Sequence, residues 1–191
     1  MQPYFAAAAV LRSPGARNAI IYGIFAHCMV CDIGNAFVRE YNVQVTGASG
    51  AVMKRKAIIT VAALARREDG TTEQSAATAR GSWEAGETGW RAEYSEPEEG
   101  ALTRLDFTAD GVLWTLSGTM RSCLRFAPGE VCAAVCETSW GSFSMEARTE
   151  LLRAELDETG GMAELVYELR LGGGAPDSRR LCIEIETEAE T

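Results

Sequence analysis

The chain has 191 residues, of which 47% are hydrophobic and 24% are charged, a composition that suits one soluble domain with a sizeable core. Its net charge is −9, and the first 52 residues hold three Arg against one Asp and one Glu, so residues 53–191 carry all of the negative excess. Such an acidic body repels phosphate backbones, and its basic clusters are at most three residues long, so nucleic-acid binding is excluded.

Residues 1–52 differ in pattern from the rest of the chain. Their apolar run, residues 19–31, stops at Asp32 and is well short of the roughly 20 apolar residues that span a membrane. A signal peptide is also disfavoured, because the next small-residue stretch, residues 47–51, lies far beyond the run. Two alternatives stay open: a loosely attached extension with at most one short helix near residues 19–30, or a start assigned too far upstream, since Met53 leads directly into a strand pattern.

The six cysteines lie in a chain too large to need disulfides, which indicates reduced thiols in a cytoplasmic protein. Cys28 and Cys31 have the CxxC spacing with His27 beside them, but neither a βαβ pattern nor a second well-spaced pair accompanies them. Cys132 and Cys136 would share one face of a strand at about 13 Å, too far apart to bind one metal ion. We therefore predict no metal, no cofactor and no membrane association.

From Met53 onward the pattern is that of an all-β protein, with glycine-containing turn signals between short alternating segments. The segment at residues 57–66 is apolar on both faces, which suits a strand whose outer side is also covered. Residues 130–137 are small and apolar on both sides, so their register is not predicted. The predicted strands before the longest hairpin are residues 57–66, 78–84, 90–94, 104–107, 112–116, 121–126 and 130–137.

The clearest alternation lies in residues 138–171, where two strands face each other across Gly160 and Gly161. Odd-numbered residues from Phe143 to Leu151, and again from Ala163 to Leu171, fall on the apolar face. Even-numbered apolar residues then follow at 152, 154 and 156, so a bulge near residues 151–153 is predicted. A final strand at residues 181–187 follows the hairpin. Because a hairpin cannot bury its apolar face alone, eight to ten such strands predict a barrel or a sandwich.

A family resemblance favours the barrel. The run Thr138-Ser-Trp-Gly-Ser, the turn at Gly160 and Gly161, the segment Tyr167-Glu-Leu and the closing Leu181-Cys-Ile-Glu-Ile-Glu resemble the YwiB-like family of bacterial proteins over roughly residues 54–186. Ser139 stands where that family usually has a proline. The resemblance implies a closed antiparallel calycin-like or lipocalin-like barrel for residues 53–191, and it brings no catalytic residues, because the family is a domain of unknown function.

The sequence offers little for catalysis, and we predict a protein that is not an enzyme. The only histidine, His27, precedes the predicted barrel, so Ser-His-Asp and Cys-His schemes are excluded there. Strand parity assigns the carboxylates of Glu146, Glu150, Glu164 and Glu168 to the solvated face, where general acid–base work is not expected.

Aromatic residues give the better functional hypothesis, because they fall on the inward face of nearly every predicted strand. A small barrel is just wide enough either to be filled by such side chains or to hold one small ligand. The first hypothesis is therefore an apolar or amphiphilic ligand inside the barrel, and the alternative is a protein-interaction module with a packed barrel and an acidic outer face. The candidate ligand-binding residues are Trp83, Trp114, Arg121, Trp140, Arg148 and Tyr167.

Overall fold

The structure is a computed structural model that describes residues 42–45, 54–86, 88–95 and 101–189, with the backbone alone for residues 42–45. These residues form strands joined by turns, as the alternating pattern predicts. The strands are β1 (Asn42–Val45), β2 (Arg55–Arg66), β3 (Thr72–Ala85), β4 (Gly89–Ser95), β5 (Leu102–Thr108), β6 (Gly111–Ser117), β7 (Met120–Phe126), β8 (Val131–Thr138), β9 (Gly141–Asp157), β10 (Gly160–Leu171) and β11 (Asp177–Thr187).

Strands β2 to β11 make a closed antiparallel barrel of ten strands within the described residues. Each strand pairs with the next along the chain, β11 pairs with β2, and β8 pairs with β9, so the ring of strands closes. Among the described residues, the first half of β3, residues 72–80, pairs with β2 alone. The predicted all-β barrel is confirmed. No register was predicted for β8. In the structure, Cys132, Ala134 and Cys136 face inward.

Strand β1 lies within the predicted N-terminal extension and pairs in parallel with residues 153–156 of β9. It therefore extends the sheet beside the half of β9 that β8 does not cover. No strand was predicted there. The predicted short helix near residues 19–30 and the Cys28–Cys31 pair lie outside the described residues, and the division at residue 53 stays a prediction.

A bulge in β9 reconciles its two sets of inward residues. Tyr167 of β10 pairs with Thr149, whereas Val166 pairs with Leu151, so Glu150 is the extra residue. Thr149 and Leu152 are consequently both buried. The predicted bulge is confirmed, one residue earlier than expected, and it lets one long strand bend around the barrel.

The outer wall corrects one prediction. Glu164 was expected to face water, but it is only 8% exposed, and its carboxylate lies 2.5 Å from the guanidinium of Arg180. Beside this pair the outer wall carries a second apolar cluster, in which Ala62 and Cys182 are fully buried. The sequence missed both features because the alternation that marks Glu164 as outward does not report what lies over the outer face. The covered outer side predicted for residues 57–66 is confirmed at Ala62.

Candidate functional site: the open half of the barrel

The two ends of the barrel differ in packing. We call the end with the β3–β4, β5–β6, β7–β8 and β9–β10 turns the closed end, and the other the open end. At the closed end, Trp83 stacks on Trp90 with ring centroids 5.2 Å apart and contacts Phe107 edge-on at 6.1 Å. The Nε1–H of Trp83 donates to the carbonyl oxygen of Asp157 at 2.9 Å. Trp83, one of the predicted ligand residues, is thus part of a filled core.

Three aromatic side chains contact one another across the lumen. Phe126 of β7 meets Tyr167 of β10 edge-on at 4.7 Å, and Trp114 of β6 meets Phe126 at 6.4 Å. Phe126 and Tyr167 are buried, whereas Trp114 is only half-buried. We call these three rings the floor, and the part of the lumen between them and the open end the open half.

Above this floor, inward positions are only partly buried. Residues of β2 and β3 contribute small side chains on one side of the open half, and Ala77 is exposed even though it shares the inward parity of the buried Ala79. Bulkier side chains come from the opposite strands. The inward, incompletely buried positions of the open half are Ala63, Ala65, Ser75, Ala77, Leu116, Phe143, Met145 and Leu171.

Arg179 adds a cation to this half of the barrel. It has the same parity as the buried Leu181 of β11 and pairs across strands with Tyr167. Its guanidinium hydrogen bonds to the Tyr167 hydroxyl and forms an ion pair with Asp177 at 3.3 Å. Burial raises the pKa of Tyr167, and the neighbouring Arg179 charge opposes that rise, so the phenol stays protonated at neutral pH.

Three buried polar atoms around this floor have no hydrogen-bond partner among the described residues: Trp114 Nε1, Arg179 Nε and Thr149 Oγ1. Thr149 and Arg179 flank Tyr167 in the sheet, one on β9 and one on β11. An indole or guanidinium N–H can only donate, and a buried donor without an acceptor costs about 1–3 kcal/mol. Trp90 Nε1 is also unpartnered, but it lies in the filled closed end.

The six residues predicted to bind a ligand are not all brought together. Trp114 and Tyr167 meet at the floor through Phe126, as described above. Arg121 points outward and pairs with Glu137 at 3.0 Å, and Arg148 is exposed on the outer face of β9. Trp140 lies at the tip of the β8–β9 turn and is 96% exposed.

Sequence reasoning missed Arg179 and Asp177 as polar groups of the interior, whereas Thr149 was predicted on the inward face and is buried there. A signal was present, because Asp177 and Arg179 continue the odd, inward parity of Leu181 and Ile183. Two adjacent arginines at the start of a strand are typical of a solvated strand end, and this obscures the parity of Arg179. Only one of the two adjacent arginines faces the lumen.

Within the described ranges, no group of three or more His, Cys, Asp or Glu side chains is placed to hold a metal ion. The same part of the chain contains no helix of the length and hydrophobicity that crossing a membrane requires.

Comparison with known proteins identifies a family and a fold. Residues 59–183 match the family described as "Domain of unknown function (DUF1934)". Among solved structures, the crystal structure of the ywiB protein from Bacillus subtilis superposes with a TM-score of 0.65 at 20% sequence identity, covering 71% of this chain and 94% of that one. No curated protein matches the chain. At this identity the structural likeness extends to the fold alone.

Proposed function

Because this chain belongs to the DUF1934 family, whose description names no function, we propose a function from its own barrel: binding, without catalysis, of a small amphiphilic ligand in the open half. The ligand would enter between the β2–β3 and β8–β9 turns and rest on the floor formed by Trp114, Phe126 and Tyr167. It would not reach the closed end, because Trp83, Trp90 and their neighbours fill that half.

The unpartnered donors at the floor are the observation that carries this proposal. Trp114 Nε1 and Arg179 Nε are donors only, so the group they would bind is a hydrogen-bond acceptor such as a carboxylate or a carbonyl. A charged acceptor would also gain from the positive guanidinium, although Asp177 already balances part of that charge. The expected ligand therefore carries an acceptor group at its inner end.

The walls above the floor favour an apolar remainder. Leu116, Met145 and Leu171 offer partly exposed aliphatic surface, and Ala63 and Ala77 are small inward residues of the same half. Binding sites for small molecules typically combine such apolar walls with a few polar groups that fix orientation. Each methylene group moved from water into this half contributes about 0.8 kcal/mol.

Chemical turnover is not part of the proposal. The only histidine of the chain, His27, precedes β1, so the barrel strands provide no imidazole. Asp177, a carboxylate at the open end of β11, is engaged by Arg179. The site offers donors and apolar surface, which suffice for recognition.

Filling the open half tests the proposal. Ala77→Trp places a large ring inside the mouth, whereas Thr78→Trp places the same ring at the next position, on the outer face. We expect the wild-type protein and Thr78→Trp to bind 1-anilinonaphthalene-8-sulfonate and to release it when decanoate is added. Ala77→Trp should bind at least tenfold more weakly. Equal binding by both variants would place the probe elsewhere, and no binding by the wild type would indicate a packed lumen.

A packed lumen would favour the second candidate, a protein-interaction module. The observation that supports this alternative is the exposure of large apolar side chains on β8 and its following turn: Val131 is 63% exposed, Val135 56% and Trp140 96%. Exposed apolar surface of this kind is often a contact surface. Loss of partner binding in Val135→Ser, with the open half unaffected, would support it.

A further inference from the structure

The outer wall of the barrel contains two small side chains that are completely buried. Ala62 of β2 and Cys182 of β11 are each 0% exposed, although their parity points them away from the lumen. Leu64, Ala76 and Met162 pack against them from the same outer face. We call these five residues the outer cluster.

The ion pair beside the outer cluster is also shielded from water. The Glu164 and Arg180 side chains are only 10% and 16% exposed. Removing two charges from water is costly unless the pair is well packed and hydrogen-bonded. Outward side chains of a barrel wall normally stay solvated, so a buried apolar pair beside a largely shielded ion pair makes this wall a suitable surface for further chain to pack on.

The register of the sheet indicates which part of the chain lies there. One row runs across the strands from Asn42 of β1 through Arg153 and Glu164 to Cys182 and Ala62. The chain that enters β1 at Asn42 thus arrives in line with the outer cluster. Three strand spacings, about 14 Å, separate β1 from β11.

The segment that precedes β1 has the length and composition to cover this wall. Residues 19–31 contain no Asp, Glu, Lys or Arg, and they include Ile20, Ile21 and Ile24. The residues between this run and Asn42 can extend over about 33 Å, more than twice the distance required. An uncharged apolar segment matches an apolar surface, because burying both removes apolar area from water.

We infer that the apolar run of residues 19–31 packs on the outer wall over Ala62 and Cys182 and shields the Glu164–Arg180 ion pair. This interaction is independent of the ligand site, because it lies on the opposite side of the barrel wall. It assigns the N-terminal part of the chain a role as a cover for β2, β10 and β11.

Cysteine alkylation in the full-length chain tests this inference, with the modified residues identified by peptide mass spectrometry. Cys123 is exposed and should react quickly with iodoacetamide, whereas Cys182 should be protected. Cys136, inside the barrel, reports on the integrity of the fold, and burial raises the pKa of its thiol, which slows it further. In the double variant Ile21→Asp, Ile24→Asp we expect Cys182 to react at least tenfold faster while Cys136 stays protected.

The matched control adds the same charge outside the run, as Ser13→Asp, Asn18→Asp, and should leave Cys182 protected. Protection of Cys182 that persists in the double variant would overturn the inference, as would wild-type labelling as fast as that of Cys123. Protection lost on dilution of the wild type would also overturn it, because a second copy would then be the cover. If Cys136 becomes reactive in the double variant, that variant has lost its fold. The milder variant Ile24→Ser then replaces it: faster labelling of Cys182 supports the inference, and persistent protection overturns it.

Discussion

At the level of single residues, buried polar atoms in the barrel differ in whether they have a hydrogen-bond partner. Trp83 at the closed end satisfies its indole N–H with a main-chain carbonyl, whereas Trp114 at the floor does not. Two tryptophans with the same inward parity therefore have different roles. Trp83 donates within the core, whereas Trp114 holds a donor with no partner among the described residues.

Trp114→Phe tests the role of that donor. The substitution removes the indole N–H and keeps an aromatic ring at the floor. We expect the affinity for decanoate to fall about three- to tenfold, as the loss of one hydrogen bond of about 0.5–1.5 kcal/mol implies. Trp140→Phe is the control, because Trp140 is almost fully exposed at a turn. Equal affinities for Trp114→Phe and the wild type, by isothermal titration calorimetry, would argue against an acceptor at the floor.

Burial on the hairpin gives a second residue-scale prediction. Leu165 is fully buried, so Leu165→Ala should lower the free energy of unfolding by about 2–5 kcal/mol. Phe143 has the same inward parity but lies half-buried at the open end, so Phe143→Ala should cost less. Glu146 is exposed and pairs with Arg170 at 3.5 Å, so Glu146→Ala should stay within about 0.5 kcal/mol. Urea unfolding midpoints measure all three, and equal losses at Leu165 and Glu146 would contradict the assignment of faces.

At the level of elements, the β9–β10 hairpin depends on its glycine turn. Gly160 and Gly161 have φ angles of 118° and 130°, and a Cβ at Gly161 would overlap the carbonyl oxygen of Glu155. Neither the backbone angle nor the space suits a side chain. The inward residues of β9 and β10 are therefore held in register by a turn that strongly favours glycine.

Gly161→Ala is accordingly expected to destabilise the protein by more than about 2 kcal/mol or to prevent folding. The control is Gly172→Asn in the β10–β11 turn. Gly172 has a φ of 56°, a side chain there would meet no atom within 4 Å of its Cβ, and asparagine tolerates this left-handed conformation. Thermal melts of the two variants should differ clearly. Similar melting temperatures would mean that the β9–β10 turn can rearrange without loss.

The alternation of apolar and polar residues along the strands predicted most of the fold, and the reason is physical. A sheet with one dry face requires period-two alternation, so the inward residues of β10 and β11 and the bulge in β9 could be predicted. The register of β8 could not, because Val131, Ala133 and Val135 on its outer face are as apolar as its inner face. Strand β1 was missed because four residues give too short a period, and its pairing with β9 is a long-range contact.

The candidate site was predicted less completely than the fold. Parity placed Trp114 and Tyr167 inside, but it does not indicate which end of a barrel is filled. That difference comes from side-chain volume across neighbouring strands, with Trp83, Trp90 and Phe107 together at one end and alanines at the other. Arg121 and Trp140 were predicted to lie at loop junctions and Arg148 opposite the Phe143 face, and the structure places all three outside the lumen.

At the level of the whole molecule, the two halves of the barrel differ in packing: inward side chains are buried in the closed half and only partly buried in the open half. The closed half provides stability through packed rings and aliphatic side chains, while the open half presents donors and apolar walls to one entrance. The outer wall adds a separate covered surface at Ala62 and Cys182. The closed half is therefore the part that we expect to determine stability, and the open half is the part to which the proposed ligand site belongs.

The most direct test of this account is the NMR spectrum of the four indole N–H groups in ¹⁵N-labelled protein, recorded as decanoate is added. The four tryptophans sample distinct places: Trp83 and Trp90 the closed end, Trp114 the floor and Trp140 an exposed turn. The account predicts a saturable shift of the Trp114 signal, with the Trp83 and Trp90 signals unchanged. A spectrum in which Trp114 does not move, or moves no more than Trp83 and Trp90, would contradict a ligand site in the open half.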